Sequence, residues 1–154
     1  MAEPGEPYQH RGTRAIQRMV EYAPATGGLA LWVRHQDVRP GPGDIDTAPV
    51  VTTDGHTLFY AAAFEALALA EQTGWVAHEV LHIALRHPQR FLDLKHLVGD
   101  VDLQLFNRCA DAIVNSTLGH LSWLQLPSTA AGMGCRKALP RDRRPTQRRA
   151  GRPA

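Results

Sequence analysis

The stretch WVAHEVLHIALRH, residues 75–87, sets two histidines four residues apart with a glutamate directly after the first. On a helix, residues i and i+4 stand one turn apart on the same face, so the imidazoles of His78 and His82 can converge on one ion. Zinc suits such a pair: it takes imidazole nitrogen at about 2.0–2.1 Å in a tetrahedron, and hydrolytic sites give it three protein ligands with the fourth position left to water. Glu79 falls on the flank where that water would sit, able to accept its proton and pass it to a leaving amine. H-E-x-x-H therefore reads as a metal site, with His78 and His82 as ligands and Glu79 as general base. The setting strengthens this. The expected helix over 75–87, ended by Pro88, is apolar around its whole circumference and must be a central, buried element. Two imidazoles and a carboxylate are costly to bury unless something satisfies them, and a zinc ion satisfies all three.

A third protein ligand must come from elsewhere in the chain. The position six residues after His82, where metzincins place a histidine, is Pro88. His87 lies five residues after His82, roughly 140° around a continuous helix, and would not share its face. The remaining candidates are His96, in the loop expected after the helix, and the carboxylates Asp100, Asp102 and Asp111. Asp111 is favoured: in NRCADAIVNSTL it sits among apolar neighbours that would partly bury it. Asn115, four residues on, shares its face and could hydrogen-bond the carboxylate.

These residues need a scaffold, and the apolar patterning supplies its outline. Ile16, Met19 and Val20 fall at helical spacing over 13–22, and Pro24 with Gly27-Gly28 is expected to end that helix. The run LALWV within 29–38 reads as a strand, with a short helix as the alternative that periodicity leaves open, and RPGPGDIDT, residues 39–47, as a loop. PVVTT, then Asp54-Gly55, then HTLFY is a strong hairpin signal, because an Asp-Gly pair suits the tight turn between two β-branched or aromatic runs. Residues 61–70 read as a helix, 71–74 (EQTG) as a break, and 100–118 as the last strong helix.

At 154 residues the chain is about the size of one domain. Two cysteines far apart, Cys109 and Cys135, indicate neither a disulfide framework nor a cysteine zinc knuckle. The cytosol is the expected compartment, since the N-terminus lacks the basic-then-apolar pattern of a signal peptide and no stretch qualifies as a membrane span. The net charge of +2 conceals an asymmetry: residues 136–154 hold eight Arg and Lys against Asp142, a net of +7, which leaves −5 on the rest. Such a tail can make weak, non-specific contact with nucleic acid through phosphate neutralisation, although it has no aromatic residue for base stacking. A solvated basic tail is the reading favoured.

DGHTLFY, VAHEVLHIALRHPQR and FNRCADAIVN, in that order, resemble the three motifs of a bacterial metallopeptidase-like domain that usually precedes a von Willebrand factor A-like domain. The resemblance covers about residues 13 to 128. It implies a Zn²⁺-dependent peptidase fold with His78, His82 and Asp111 as metal ligands, Glu79 as base, and a peptide or protein as substrate; a catalytically silent, metal-containing scaffold or binding module is the alternative reading. The family continues into a further domain, whereas residues 129–154 here form the basic tail. The expected architecture is α+β and zincin-like: a small hairpin or sheet packed on a buried H-E-x-x-H helix and on a second, ligand-bearing helix. Residues 1–12 are expected to be a disordered N-terminus and 129–154 a basic, disordered tail.

Lesser expectations complete the picture. Thr57 to Tyr60 is a candidate edge strand for substrate pairing, and Tyr60 or His87 a candidate oxyanion donor. His10, His35, His56 and His120 are expected at the surface or in turns. Trp32, Trp75 and Trp123 are expected in the core or a cleft wall, and Cys109 as a small buried helix residue.

Overall fold

Every other helix, and one strand of the sheet, packs against the helix Leu69–Ala84. The computed structural model describes residues 9–39 and 49–127. The expectations for the tail, for Cys135, for residues 1–8 and for most of the 39–47 loop lie outside those residues. In chain order the elements are α1 (Thr13–Tyr22), α2 (Pro24–Trp32), β1 (Arg34–Asp37), β2 (Val51–Thr53) and β3 (Thr57–Tyr60). A short 3-10 turn, Ala62–Ala66, follows, then α3 (Leu69–Ala84), α4 (His87–Val98) and α5 (Leu103–Leu118). The architecture is α+β: five helices and one three-stranded sheet.

α1 forms where the spacing predicts it. Ala15, Ile16 and Met19 are buried, and Arg14 and Gln17 face outward; Val20, on the predicted apolar face, lies largely outside. The expected stop after α1 is instead a corner. Pro24 sits in the first turn of α2, where a missing N–H costs nothing. Gly27 does not break that helix either: a Cβ there would come 2.5 Å from the Val20 nitrogen, so the glycine lets α2 cross tightly over α1. LALWV is accordingly the end of a helix, and the strand expected over 29–38 is confined to Arg34–Asp37. Trp32, expected in the core, is 89% exposed.

The Asp54-Gly55 hairpin is present. β2 and β3 pair antiparallel with Val51 opposite Tyr60 and Thr53 opposite Leu58. Asp54 Oδ1 accepts from the backbone N–H groups of His56 and Thr57, and Gly55 takes the positive φ (96°) that the turn requires. β1 adds to the far side of β3 in parallel, giving the order β1-β3-β2. β3 is therefore the central strand, so the expectation that Thr57–Tyr60 offers a free edge is corrected. Leu58, Tyr60 and Val51 point from this sheet into the core beside Phe64, Val76 and Val80. Each fully buried aliphatic side chain of this kind stabilises the fold by about 1.5–3 kcal/mol.

Residues 71–74, expected as a break, are the first turns of α3. Their polarity serves the helix end: Glu71 Oε2 accepts from the Ala68 N–H, Gln72 Nε2 donates to the Phe64 and Leu67 carbonyls, and Thr73 Oγ1 donates to the Leu69 carbonyl. Residues 61–66 supply only the 3-10 turn of the helix expected over 61–70. Gly74 is a point of close approach, since a Cβ there would lie 1.9 Å from the Gln125 carbonyl oxygen. The returning chain is pinned at that point by a hydrogen bond from the Gln125 N–H to the Ala70 carbonyl.

α3 ends at Ala84, three residues short of expectation, and Arg86 turns the chain in a left-handed conformation (φ 56°). Pro88 then lies in the first turn of α4, so it opens that helix and is not what ends α3. The last helix starts at Leu103, not at residue 100, because Asp102 Oδ1 caps it by accepting from the Gln104 and Leu105 N–H groups.

The N-terminal end of α1 is tied to the sheet. The Arg11 N–H donates to Asp37 Oδ1, and Arg11 Nη1 donates to the Val38 and Tyr60 carbonyls. His10 and His35 stack with parallel rings 4.2 Å apart. His35, expected at the surface, bridges the Tyr60 hydroxyl and the Ala30 carbonyl, each at 2.8 Å. A carbonyl only accepts, so His35 Nε2 carries the proton and Nδ1 accepts from Tyr60. Burial lowers the pKa of both imidazoles, and His10 falls to about 4 because desolvation and the nearby His35 together outweigh Asp37.

Two tests follow from this packing. Gly74→Ala should destabilise the fold by about 2–3 kcal/mol through backbone overlap, whereas Gly28→Ala, with nothing within 4 Å, should stabilise it by roughly 0.5–1 kcal/mol. Denaturant unfolding of the two variants should give opposite signs. In the unfolded chain His10 titrates near the ordinary histidine value of 6.5 and in the folded protein near 4, so the unfolded state binds more protons between those values. Its contribution is complete above about pH 6.5 and is lost as the pH falls toward 4. Thermal midpoints of the native chain should drop more over that window than those of His10→Gln.

Candidate metal centre

His78 and His82 stand on the face of α3 turned toward α5. His78 is 5% exposed, and His82 and Glu79 are fully buried. The helix can hold His78 and His82 at its centre because neighbouring helices bring partners to them. α5 presents Ala110, Val114 and Leu118 to the core along one stripe, and Asp111 and Asn115 stand one position round from it.

The donor atoms converge. His78 Nε2 and His82 Nε2 lie 2.9 Å apart, and Asp111 Oδ1 is 3.5 Å from the first and 3.0 Å from the second. These three side chains form a group that could hold a metal ion, each offering one ligand atom. The separations can be compared with what an ion requires: three donors at about 2.0–2.1 Å in tetrahedral geometry lie about 3.3–3.4 Å from one another. The observed distances bracket that value, so the donors already stand close to the spacing an ion would impose. Two neutral imidazoles and a carboxylate are also a donor set that suits a divalent cation of intermediate softness.

Of the residues weighed for the third position, Asp111 alone joins the pair among the described residues. His96, expected in a loop, is exposed on α4. Asp102 is occupied as the cap of α5, and Asp100 is exposed before that helix.

Asn115 does act beside the site, but not on the residue expected. Its Oδ1 lies 3.0 Å from His78 Nδ1, so it holds the first histidine and not the Asp111 carboxylate. The reason is the direction of the helices: His78 meets Asn115 while His82 meets Asp111, so α5 runs antiparallel to α3 with the two four-residue steps in register.

The helical-wheel reasoning that set His87 apart from His82 does not apply, because the helix has already ended. With the chain reversed at Arg86, His87 Nδ1 comes within 2.8 Å of His82 Nδ1, and His87 is 5% exposed. No sequence signal gives this contact; only the turn at Arg86 creates it. Tyr60, considered beside His87 as an oxyanion donor, is fully buried with its hydroxyl engaged by His35. Cys109, expected to be buried, is exposed on α5. Trp75 packs half-buried against the core, and Trp123 stacks on Tyr22, both as expected of cleft or core residues.

A His-His-carboxylate cluster carried on two antiparallel helices, its imidazoles buried, defines a candidate metal centre. Residues 7–146 match the family described as "Putative metallopeptidase domain", and the chain belongs to that family. No curated protein and no solved structure matches it. Among the described residues, no helix is long and apolar enough to cross a membrane.

Removing the carboxylate tests the centre directly. Asp111→Ala should leave two imidazoles in place of three donors and reduce bound divalent metal from about one ion per chain to a small fraction, measured by elemental analysis after dialysis.

Proposed function

We propose that the chain is a zinc-dependent peptidase domain of zincin-like construction, with Zn²⁺ held by His78 Nε2, His82 Nε2 and Asp111 Oδ1. The observation that carries this reading is the meeting of those three donor atoms within 4.8 Å of one another, on the helix that also bears Glu79. Membership in the metallopeptidase-like family supports it independently.

When bound, zinc supplies Lewis acidity: it lowers the pKa of water and polarises a carbonyl. The chain's own residues do the rest. His78 and His82 offer neutral nitrogen lone pairs, and Asp111 adds a negative charge that offsets part of the cation's. Glu79 is the base. Its carboxylate takes a proton from the attacking water as the new C–O bond forms at the peptide carbonyl. As the C–N bond breaks, the same proton goes to the leaving nitrogen, so Glu79 ends the cycle ionised as it began. The buried setting of α3 keeps bulk water from competing for that proton.

Glu79→Gln separates the base from the metal. The variant should keep its bound metal and lose peptide hydrolysis by at least about 10²-fold, read as cleavage of a broad fluorogenic peptide library by the metal-loaded chain. Chelation should abolish cleavage by the native protein. Turnover that survives either treatment would exclude the mechanism.

A further inference from the structure

His82 has two ring nitrogens, and the structure engages both. Nε2 faces His78 Nε2 and Asp111 Oδ1, while Nδ1 lies 2.8 Å from Nδ1 of His87. Away from the three donors that would share an ion, two imidazole nitrogens at that distance share one proton, and its placement decides what the rest of His82 can do. If His87 donates, His82 Nδ1 must accept, and the single proton of neutral His82 sits on Nε2, where a metal ligand needs a lone pair. If His82 donates, its Nε2 is bare.

We infer that His87 is a positioning residue: it accepts from His82 Nδ1–H and so holds His82 in the tautomer that presents Nε2 to a metal. The inference rests on the reading of His78, His82 and Asp111 as metal ligands. It is supported by the treatment of the other histidine, whose Nδ1 faces the Asn115 side-chain oxygen at 3.0 Å. An amide oxygen only accepts, so His78 also carries its proton on Nδ1 and directs Nε2 inward. Two different residues, on two different helices, thus set the same orientation. Metal-bound histidines ordinarily donate the second ring N–H to such a partner, which fixes the tautomer and makes the ligand more basic.

The surroundings of His87 suit a fixed acceptor. It is 5% exposed, its ring meets that of His82 at 68°, and its other side faces Phe106 edge-on, which in turn packs on Phe91. The ring therefore has little room to turn away. The backbone is committed to the same contact: Arg86 adopts φ 56°, a conformation uncommon for non-glycine residues, and this turns His87 back toward α3.

The test uses the full chain, with Zn²⁺ and Co²⁺ as probes in competition with a chromophoric chelator. His87→Phe and His87→Leu keep an apolar filling but remove the acceptor. His87→Gln restores an acceptor oxygen. The two apolar variants should bind Zn²⁺ about 10–100-fold more weakly than the native chain, while His87→Gln stays within about threefold. Melting of the metal-free proteins should not follow that order, and the visible Co²⁺ spectrum of the Gln variant should match the native one. Native affinity in the Phe or Leu variant overturns the proposal, as does a Gln variant as weak as those two. Should neither apolar variant fold, a tenfold or greater loss in His87→Gln overturns it. A native chain that binds neither ion removes the metal-site reading itself, and the role of His87 with it.

Discussion

The structure is arranged around the burial of two imidazoles and the Glu79 carboxylate in the middle of the domain, beside the half-buried Asp111. His78, Glu79 and His82 occupy consecutive turns of α3 at 5% exposure or less. Polar groups withdrawn from water to that depth destabilise a fold by several kcal/mol unless they are matched. Matching them fixes the surroundings. α5 must lie antiparallel to α3, so that Asn115 and Asp111 meet His78 and His82 in turn. α4 must start where it does, so that His87 reaches the remaining nitrogen of His82. The site and the helix packing are one constraint.

The rest of the scaffold serves that arrangement through a few close approaches. Gly27 lets α2 cross α1, and Gly74 lets the chain after α5 lie directly on α3. The small sheet contributes apolar bulk, with Val51, Leu58 and Tyr60 closing the core against Val76 and Val80. The first residues before α1 are tied to that sheet through Arg11, His10, His35 and Tyr60, at a second cluster of histidines held neutral by burial. The two clusters show opposite uses of the same side chain. His35 is a hydrogen-bonding bridge between a hydroxyl and a carbonyl, whereas His78 and His82 turn one nitrogen each toward a shared carboxylate.

Several polar and small residues that look like punctuation in the sequence are instead terminal or contact residues of an element. Glu71, Gln72 and Thr73 satisfy the backbone groups around the start of α3, and Pro24 and Pro88 open helices. Asp102, whose carboxylate could equally ligate a cation, is a cap. Each of these side chains is chemically ambiguous in isolation, because the same oxygen that binds a cation also accepts from an orphan N–H.

What the sequence determined by itself was local. The i, i+4 spacing places His78 and His82 on one face of any helix, the Asp54-Gly55 pair specifies its hairpin, and the apolar period specifies α1. These follow from backbone geometry within a few residues. The selection of Asp111 was already legible from its apolar neighbours, but its approach to within 3.0 Å of His82 was decided only when α5 docked on α3. The partners of the outer nitrogens lay further from view. Asn115 serves His78 because the two helices run in opposite directions, and His87 serves His82 because one left-handed residue ends the helix on which the spacing argument depended. Direction and docking are properties of packing between segments distant in sequence, and no periodicity within one segment encodes them.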